Sequence, residues 1–216
     1  MAIHPPQAQT ARRLPADERR AQILREAAQL FGSHGFKGTT TRDVAARVGL
    51  TEAALYRYFS SKEAMYAAIL DERMADPDLL APIEPLAAAG DDRAVFTELA
   101  LTLLRTVEAD PTMLRLLLYS ALEGHEMAKP FQEGRIRRLR DFLSQYLTRR
   151  MREGAFRDVD PALVARAFIG MVVDHLIVRQ VFGQRDVYPQ PPEQVADVFV
   201  SIFLDGVRHP RGSARG

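Results

Sequence analysis

The sequence predicts an all-α protein of about nine helices, with a small three-helix head followed by a larger helical body. Three observations carry this. Apolar residues recur at three- and four-residue spacing through most of the chain. Alternating apolar runs bounded by turns, which would mark strands, are absent. Helix starts are written out repeatedly, in Thr40 with Asp43, Ser60 with Glu63, Asp110-Pro111 and Asp160-Pro161.

Residues 1–14, rich in Pro, Gln and Ala, are expected to form a disordered arm without the apolar core of a signal peptide. Arg12 and Arg13 would either lie along a minor groove or be solvated. Pro15 and Asp17 open a first helix through about Ser33, with Ile23, Ala27, Leu30 and Phe31 on one buried stripe. Phe36, between Gly35 and Gly38, is expected to plug the core of the head.

The stretch from Thr40 to Phe59 reads as a helix-turn-helix. Thr40 caps a short helix whose apolar face is Val44, Ala45 and Val48, and Gly49 ends it, because glycine enters the left-handed conformation without a Cβ clash. Thr51 caps a second helix in which Ala54, Leu55 and Tyr58 form the packing face, so the opposite face is left free. The small Ala45 lets the two helices cross closely. A third helix start follows at Ser60-Ser61-Lys62-Glu63, ahead of Met65, Tyr66, Ile69 and Leu70. Lys62 falls in the first turn, where the helix dipole disfavours a cation, and a phosphate outside the protein is the simplest reason for it.

Residues 17–70 resemble the DNA-binding domain of the TetR family of bacterial one-component repressors. The resemblance rests on Leu30-Phe31, Gly35-Phe36, Thr40-Thr41, Val44-Ala45, Gly49, Leu55-Tyr56-Arg57-Tyr58-Phe59 and Ser61-Lys62-Glu63. It implies a helix-turn-helix domain over residues 15–76, with the motif at 40–59, and a ligand-binding and dimerisation domain over 77–208. The last eight residues, 209–216, are expected to be a disordered tail.

Within the motif, Thr51, Glu52, Ala53 and Tyr56 lie towards the free, N-terminal side of the second helix. Ala53 is small enough to meet a thymine methyl, while Glu52 either accepts from a cytosine N4 or favours its own helix dipole, the second being slightly preferred. Thr41, Tyr56, Tyr58 and Lys62 are assigned to phosphates, as the resemblance also implies, with Arg57 beside them. Charge agrees with this placement. Residues 11–65 carry ten Lys/Arg against six Asp/Glu, while the whole chain is only +1.

After the fourth helix, the prolines of residues 76–92 predict an irregular connection. Helices are then expected at about 91–109, 111–123, 127–153, 161–182 and 191–208. Residues 162–182 are apolar nearly all round, and 191–207 carry the stripe Val195, Val198, Phe199, Ile202 and Phe203. So short a chain has little to cover both helices, and they are expected to form a twofold four-helix bundle in a homodimer, with Phe168 and Val172 also in the interface. Arg166, Asp174, His175 and Arg179 interrupt the long apolar run, so no membrane span and no membrane partner are expected.

Phe96, Leu103, Met113, Leu117, Phe131, Phe142, Met171 and His175 supply the apolar and aromatic side chains of a small-molecule pocket, although any helical core contains such residues, and it is the family resemblance that argues for a cavity. With no cysteine and no paired histidines at ligand spacing, neither a metal nor a cofactor is expected. Nothing pairs a nucleophile with a base, so an enzyme is not expected. The sequence therefore predicts a cytoplasmic regulator, in the sense of a repressor, whose partners are double-stranded DNA and an unidentified small-molecule effector. Two alternatives stand beside it: a helical carrier or enzyme that keeps the head as scaffold, and a DNA-binding dimer without effector.

Overall fold

A computed structural model describes residues 15–74, 79–124 and 128–208. The expected arm at 1–14 with Arg12 and Arg13 and the tail at 209–216 lie outside the described residues. The head consists of α1 (Ala16–His34), α2 (Thr41–Arg47), α3 (Glu52–Leu55) and α4 (Lys62–Met74). The body contains α5 (Glu84–Ala89), α6 (Asp92–Ala109) and α7 (Thr112–Glu123). A short α8 (Lys129–Phe131) passes through a π-helical turn, Gln132–Ile136, into α9 (Arg137–Arg152). The chain closes with α10 (Pro161–Gln180) and α11 (Pro192–Val207), and no strand occurs among the described residues.

Three local features differ from the sequence expectation. Where prolines predicted an irregular connection, α5 forms, because Pro85 sits in its first turn, where a missing N–H breaks no helical bond. The predicted 127–153 helix is one continuous path with a π turn around Gly134. At the α6–α7 corner the Asp110 carboxylate accepts the Thr112 N–H at 3.0 Å, with Pro111 one residue outside the helix instead of at its first position.

Two cores hold the molecule together. In the head, Ile23, Leu24, Ala27 and Phe31 of α1 meet Val44, Leu55, Met65 and Tyr66, all buried. Phe36 plugs this core as expected, its ring 5.6 Å from those of both Phe31 and Tyr66. The head does not close on itself, however. Leu116 of α7, with Ala128 and Phe131, is buried in the same cluster, so the body completes the head's core.

The body's core is built on α6. Phe96 stacks within 4.9 Å of Phe168 and 4.6 Å of Phe203, and burial of side chains this large contributes about 2 to 3 kcal/mol each. Tyr146 and Arg150 of α9 converge on the buried Asp92 carboxylate, at 2.6 and 2.8 Å, which fixes the start of α6 against α9. By length and a hydropathy of 1.7, α10 alone would suffice to cross a membrane. Here its stripe Ala165, Phe168, Val172 and Leu176 is buried, and the helix packs on α6, α9 and α11.

That packing corrects part of the expected dimer surface. Phe168, Val172, Val195 and Phe203 face their own subunit and are buried. The reason is that α11 carries two apolar stripes, and the one through Val195, Val200 and Phe203 is used up on α6. Val198 and Ile202 lie on the other stripe, 46% and 60% exposed, with Phe199 half-buried between the two.

Candidate nucleic-acid interface

The Thr40 side chain accepts the Asp43 N–H at 3.2 Å and the Asp43 carboxylate accepts the Thr40 N–H at 2.8 Å, the reciprocal box that starts α2. These bonds, the Thr40 hydroxyl first, hold the Asp43 carboxyl below its ordinary value. At the other end of α2, Gly49 has φ +67°, and the Leu50 N–H returns to the Ala45 carbonyl at 2.8 Å, closing the turn. Thr51 then caps α3 through the Ala54 N–H at 3.2 Å. The regular α-helix is short. Beyond Leu55 it tightens into turns, with the Tyr58 N–H on the Leu55 carbonyl at 2.9 Å, and delivers Phe59 into the core.

α3 buries Leu55 and turns Thr51, Ala53, Tyr56 and Arg57 outward; all four are exposed. Of the side expected to be free, Thr51, Ala53 and Tyr56 are exposed and Glu52 is half-buried, while Arg57 adds to the exposed face. Thr41 stands at the start of α2 beside this face, its hydroxyl 3.5 Å from the Tyr56 hydroxyl, so the two expected phosphate contacts are neighbours in space. Tyr58 is only half-exposed, packed against the head's core.

Two of the expected contacts have other duties. The Thr41 hydroxyl donates to the Glu52 carboxylate, so Glu52 staples the start of α2 to the start of α3. That bond is a third role, beside base reading and dipole compensation. Lys62 turns inward: its ammonium donates to the carbonyls of Phe36 at 2.7 Å and Thr39 at 2.9 Å and lies 4.1 Å from the centre of the Phe36 ring. Two carbonyls in the α1–α2 corner thus hold the cation in the first turn of α4. The cap moves too, for it is Ser61, not Ser60, that accepts the Ala64 N–H, at 3.1 Å.

Arg42 was missed by sequence reasoning. It is exposed one residue after Thr41 and, like Arg57, forms no ion pair among the described residues. Its signal was available, since the second residue after the N-cap Thr40, in the first turn of the helix that crosses the backbone, is well placed for a phosphate. Other head cations are engaged: Arg47 with Glu26 at 2.9 Å, and Arg20 over the Phe59 ring at 4.9 Å.

The expected pocket residues do not come together. Phe96 is in the centre of the body's core and Leu103 at its margin. Met113, Leu117 and Phe131 pack against the head's core. Phe142 borders a cleft of about 360 Å³ with Leu80 and the charged face of α9. Met171 and His175 do meet, in a cleft of about 420 Å³ between α10, α11 and the segment joining them. Sequence periodicity identified apolar side chains but not which way each one points.

Comparison with known proteins places this geometry. Residues 23–69 match the family described as bacterial regulatory proteins, tetR family, and residues 94–206 match the AefR-like transcriptional repressor C-terminal domain. The nucleoid occlusion factor SlmA of Alteromonas mediterranea is 33% identical over 70% of this chain and 78% of its own. The HTH-type transcriptional repressor KstR2 of Rhodococcus jostii is 28% identical over 91% of this chain and 97% of its own. Among solved structures, AibR in complex with isovaleryl coenzyme A and operator DNA superposes with a TM-score of 0.61 at 25% identity, over 85% of this chain and 97% of that one.

Proposed function

Because the chain belongs to the TetR family of bacterial regulatory proteins, we propose that it represses transcription as a homodimer that binds a near-palindromic operator and changes its DNA affinity when a small molecule occupies the body. The observation that carries the reading is the exposed face of Thr51, Ala53, Tyr56 and Arg57, presented by a head whose core is closed by α7 of the body. A face of four residues is too small to select a sequence alone. Two such faces related by a twofold, about 34 Å apart, read successive major grooves.

The surface that supports dimerisation is the outer stripe of α10 and α11, where Leu163, Val198 and Ile202 are exposed. The support for an effector comes from AibR, which has been solved with both an acyl coenzyme A and operator DNA. Any effector of this chain acts by preferring one arrangement of the heads, and a coupling of about 1 to 3 kcal/mol changes DNA affinity roughly 5- to 150-fold.

The deciding experiment is a footprint of the purified protein on DNA flanking its own gene at two salt concentrations. A protected near-palindrome of about two helical turns, weakening steeply with salt, is the expected result. No protection there or on any genomic fragment would overturn the regulator in favour of a carrier that keeps the head as scaffold.

A further inference from the structure

We propose that the cleft between α10, α11 and the segment joining them is a socket for Arg166 of a second copy of the chain, which pairs there with Asp174 and fixes how the two α10 helices cross. The inference rests on the reading of the chain as a homodimer and gives that dimer its register and its choice of partner.

The outer face of α10 carries Leu163, Ala167 and Gly170, all exposed, with Ile177 half-buried further along. Apolar contact draws two such faces together but selects neither direction nor register. Charge selects both. Arg166 and Asp174 are the exposed charged residues of α10, and neither has an ion pair among the described residues. Eight residues apart, or about 12 Å along the helix, they are too distant to pair with each other. Midway between them, four residues from each, is Gly170. It is exposed, and a Cβ there would meet nothing within 4 Å, so no contact inside the subunit calls for glycine at this point. Glycine is disfavoured in mid-helix, and a close crossing of a second helix gives it a use. An antiparallel crossing about a twofold at Gly170 sets Arg166 against the partner's Asp174, and by symmetry makes the same contact twice. It also sets Leu163 against the partner's Ile177, since each is seven residues from Gly170. A parallel crossing would face Arg166 with Arg166 and Asp174 with Asp174, and like charges across an interface are costly.

The cleft suits an incoming guanidinium. It holds about 420 Å³ beside Asp174, and no Lys or Arg of its own subunit lines it. The His175 ring stands edge-on to Phe199, 5.6 Å away at 90°, and 6.2 Å from Tyr188 at 69°, which offers aromatic faces for a guanidinium to lie on. Arg179, a turn further along α10, is turned onto Glu108, at 2.9 Å, and onto the Gln190 carbonyl, at 2.9 Å, and so leaves Asp174 to another cation. Burial, and then the Arg179 charge, lower the His175 pKa despite Asp174, so the ring is neutral and does not compete for the carboxylate.

The test uses two charge reversals in the full-length protein, Arg166→Asp and Asp174→Arg. Each sets like charges together twice in its own dimer, and the two variants set opposite charges together in a mixed dimer. Both residues are exposed, so circular dichroism should show each variant as helical as wild type. By sedimentation each variant alone should dissociate at least tenfold more readily than wild type. Native mass spectrometry of an exchanged equimolar mixture should show about nine dimers in ten as mixed, against about half for indifferent pairing. One chain carrying both reversals should dimerise within about threefold of wild type. Should a reversal lose helicity, Arg166→Gln and Asp174→Asn replace it, and combining them should weaken the dimer no more than either alone. A mixture with about half mixed dimers, or effects that add in the combined variant, overturns the proposal and leaves the homodimer standing. A wild-type chain that sediments as a monomer overturns both.

Discussion

Arg73, on the last turn of α4, and Asp110, at the corner between α6 and α7, form an ion pair of 2.6 Å that ties the head's last helix to the body. The same carboxylate caps α7, and two residues before it Glu108 pairs with Arg179 of α10. One corner thus contacts both the last helix of the head and α10.

Asp110→Ala should cost about 1 to 2 kcal/mol, through the lost cap and the part-exposed pair, whereas Asp110→Asn keeps a capping oxygen and costs less. Burial raises the Asp110 pKa, but the Thr112 bonds and then Arg73 outweigh it and leave the carboxyl below its ordinary value. A depressed carboxylate stabilises the fold above its unfolded pKa near 3.8, and that contribution is lost as pH falls below it. Thermal unfolding of wild type and Asp110→Asn at pH 7 and pH 3 should show a smaller difference at pH 3.

Lys62→Ala should destabilise the head by about 2 kcal/mol, since two carbonyls in the α1–α2 corner lose a charged donor. Its DNA affinity should fall while the dependence on salt stays as steep as in wild type. Arg42→Ala and Arg57→Ala should do the reverse, leaving the melting temperature in place and flattening the salt slope by about one each. A flattened slope for Lys62→Ala would return that residue to the phosphates.

Gly35 and Gly49 both have positive φ but different surroundings. A Cβ at Gly49 meets nothing within 4 Å, so Gly49→Ala should cost only the backbone strain of about 1 kcal/mol. At Gly35 a Cβ would stand 2.3 Å from the Glu123 carboxylate and 2.9 Å from the Tyr119 ring. Glu123 accepts the Phe36 N–H at 3.2 Å, so Gly35→Ala disturbs the seam between head and body and should cost about 2 to 3 kcal/mol. Urea unfolding separates the two.

Ile202→Asp and Phe203→Ala test which stripe of α11 is the interface. Ile202 is 60% exposed, and its replacement should give a helical monomer by sedimentation with weakened operator binding. Phe203 packs on Phe96 and Phe168, and its truncation should cost about 3 to 5 kcal/mol of fold stability. A dimer that survives Ile202→Asp would place the twofold elsewhere.

Tyr66 is buried between the two domains, its hydroxyl donating to the Leu116 carbonyl at 3.2 Å, and burial pushes its pKa up to about 12. A raised tyrosine favours the neutral form, so its contribution is whole below the ordinary value of 10.0 and is lost as pH rises from there through about 12. Phenolate absorbance and helicity should change together over that range, and Tyr66→Phe should move the loss of helicity to higher pH.

What the sequence determined by itself is what a few neighbouring residues decide. Thr40 with Asp43, Gly49 and Thr51 write the helix-turn-helix because a cap or a left-handed glycine needs only the backbone three or four residues away. The exposed face of Thr51, Ala53 and Tyr56 followed from the position of Leu55 within the same turn. Tertiary structure decided the rest. Lys62 finds its carbonyls 23 and 26 residues away, and Glu123 its amides 86 and 87 residues away, distances over which no local pattern specifies a partner. Periodicity shows that α11 has apolar stripes, but only the position of α6 tells which stripe is consumed inside the subunit and which is left on its surface.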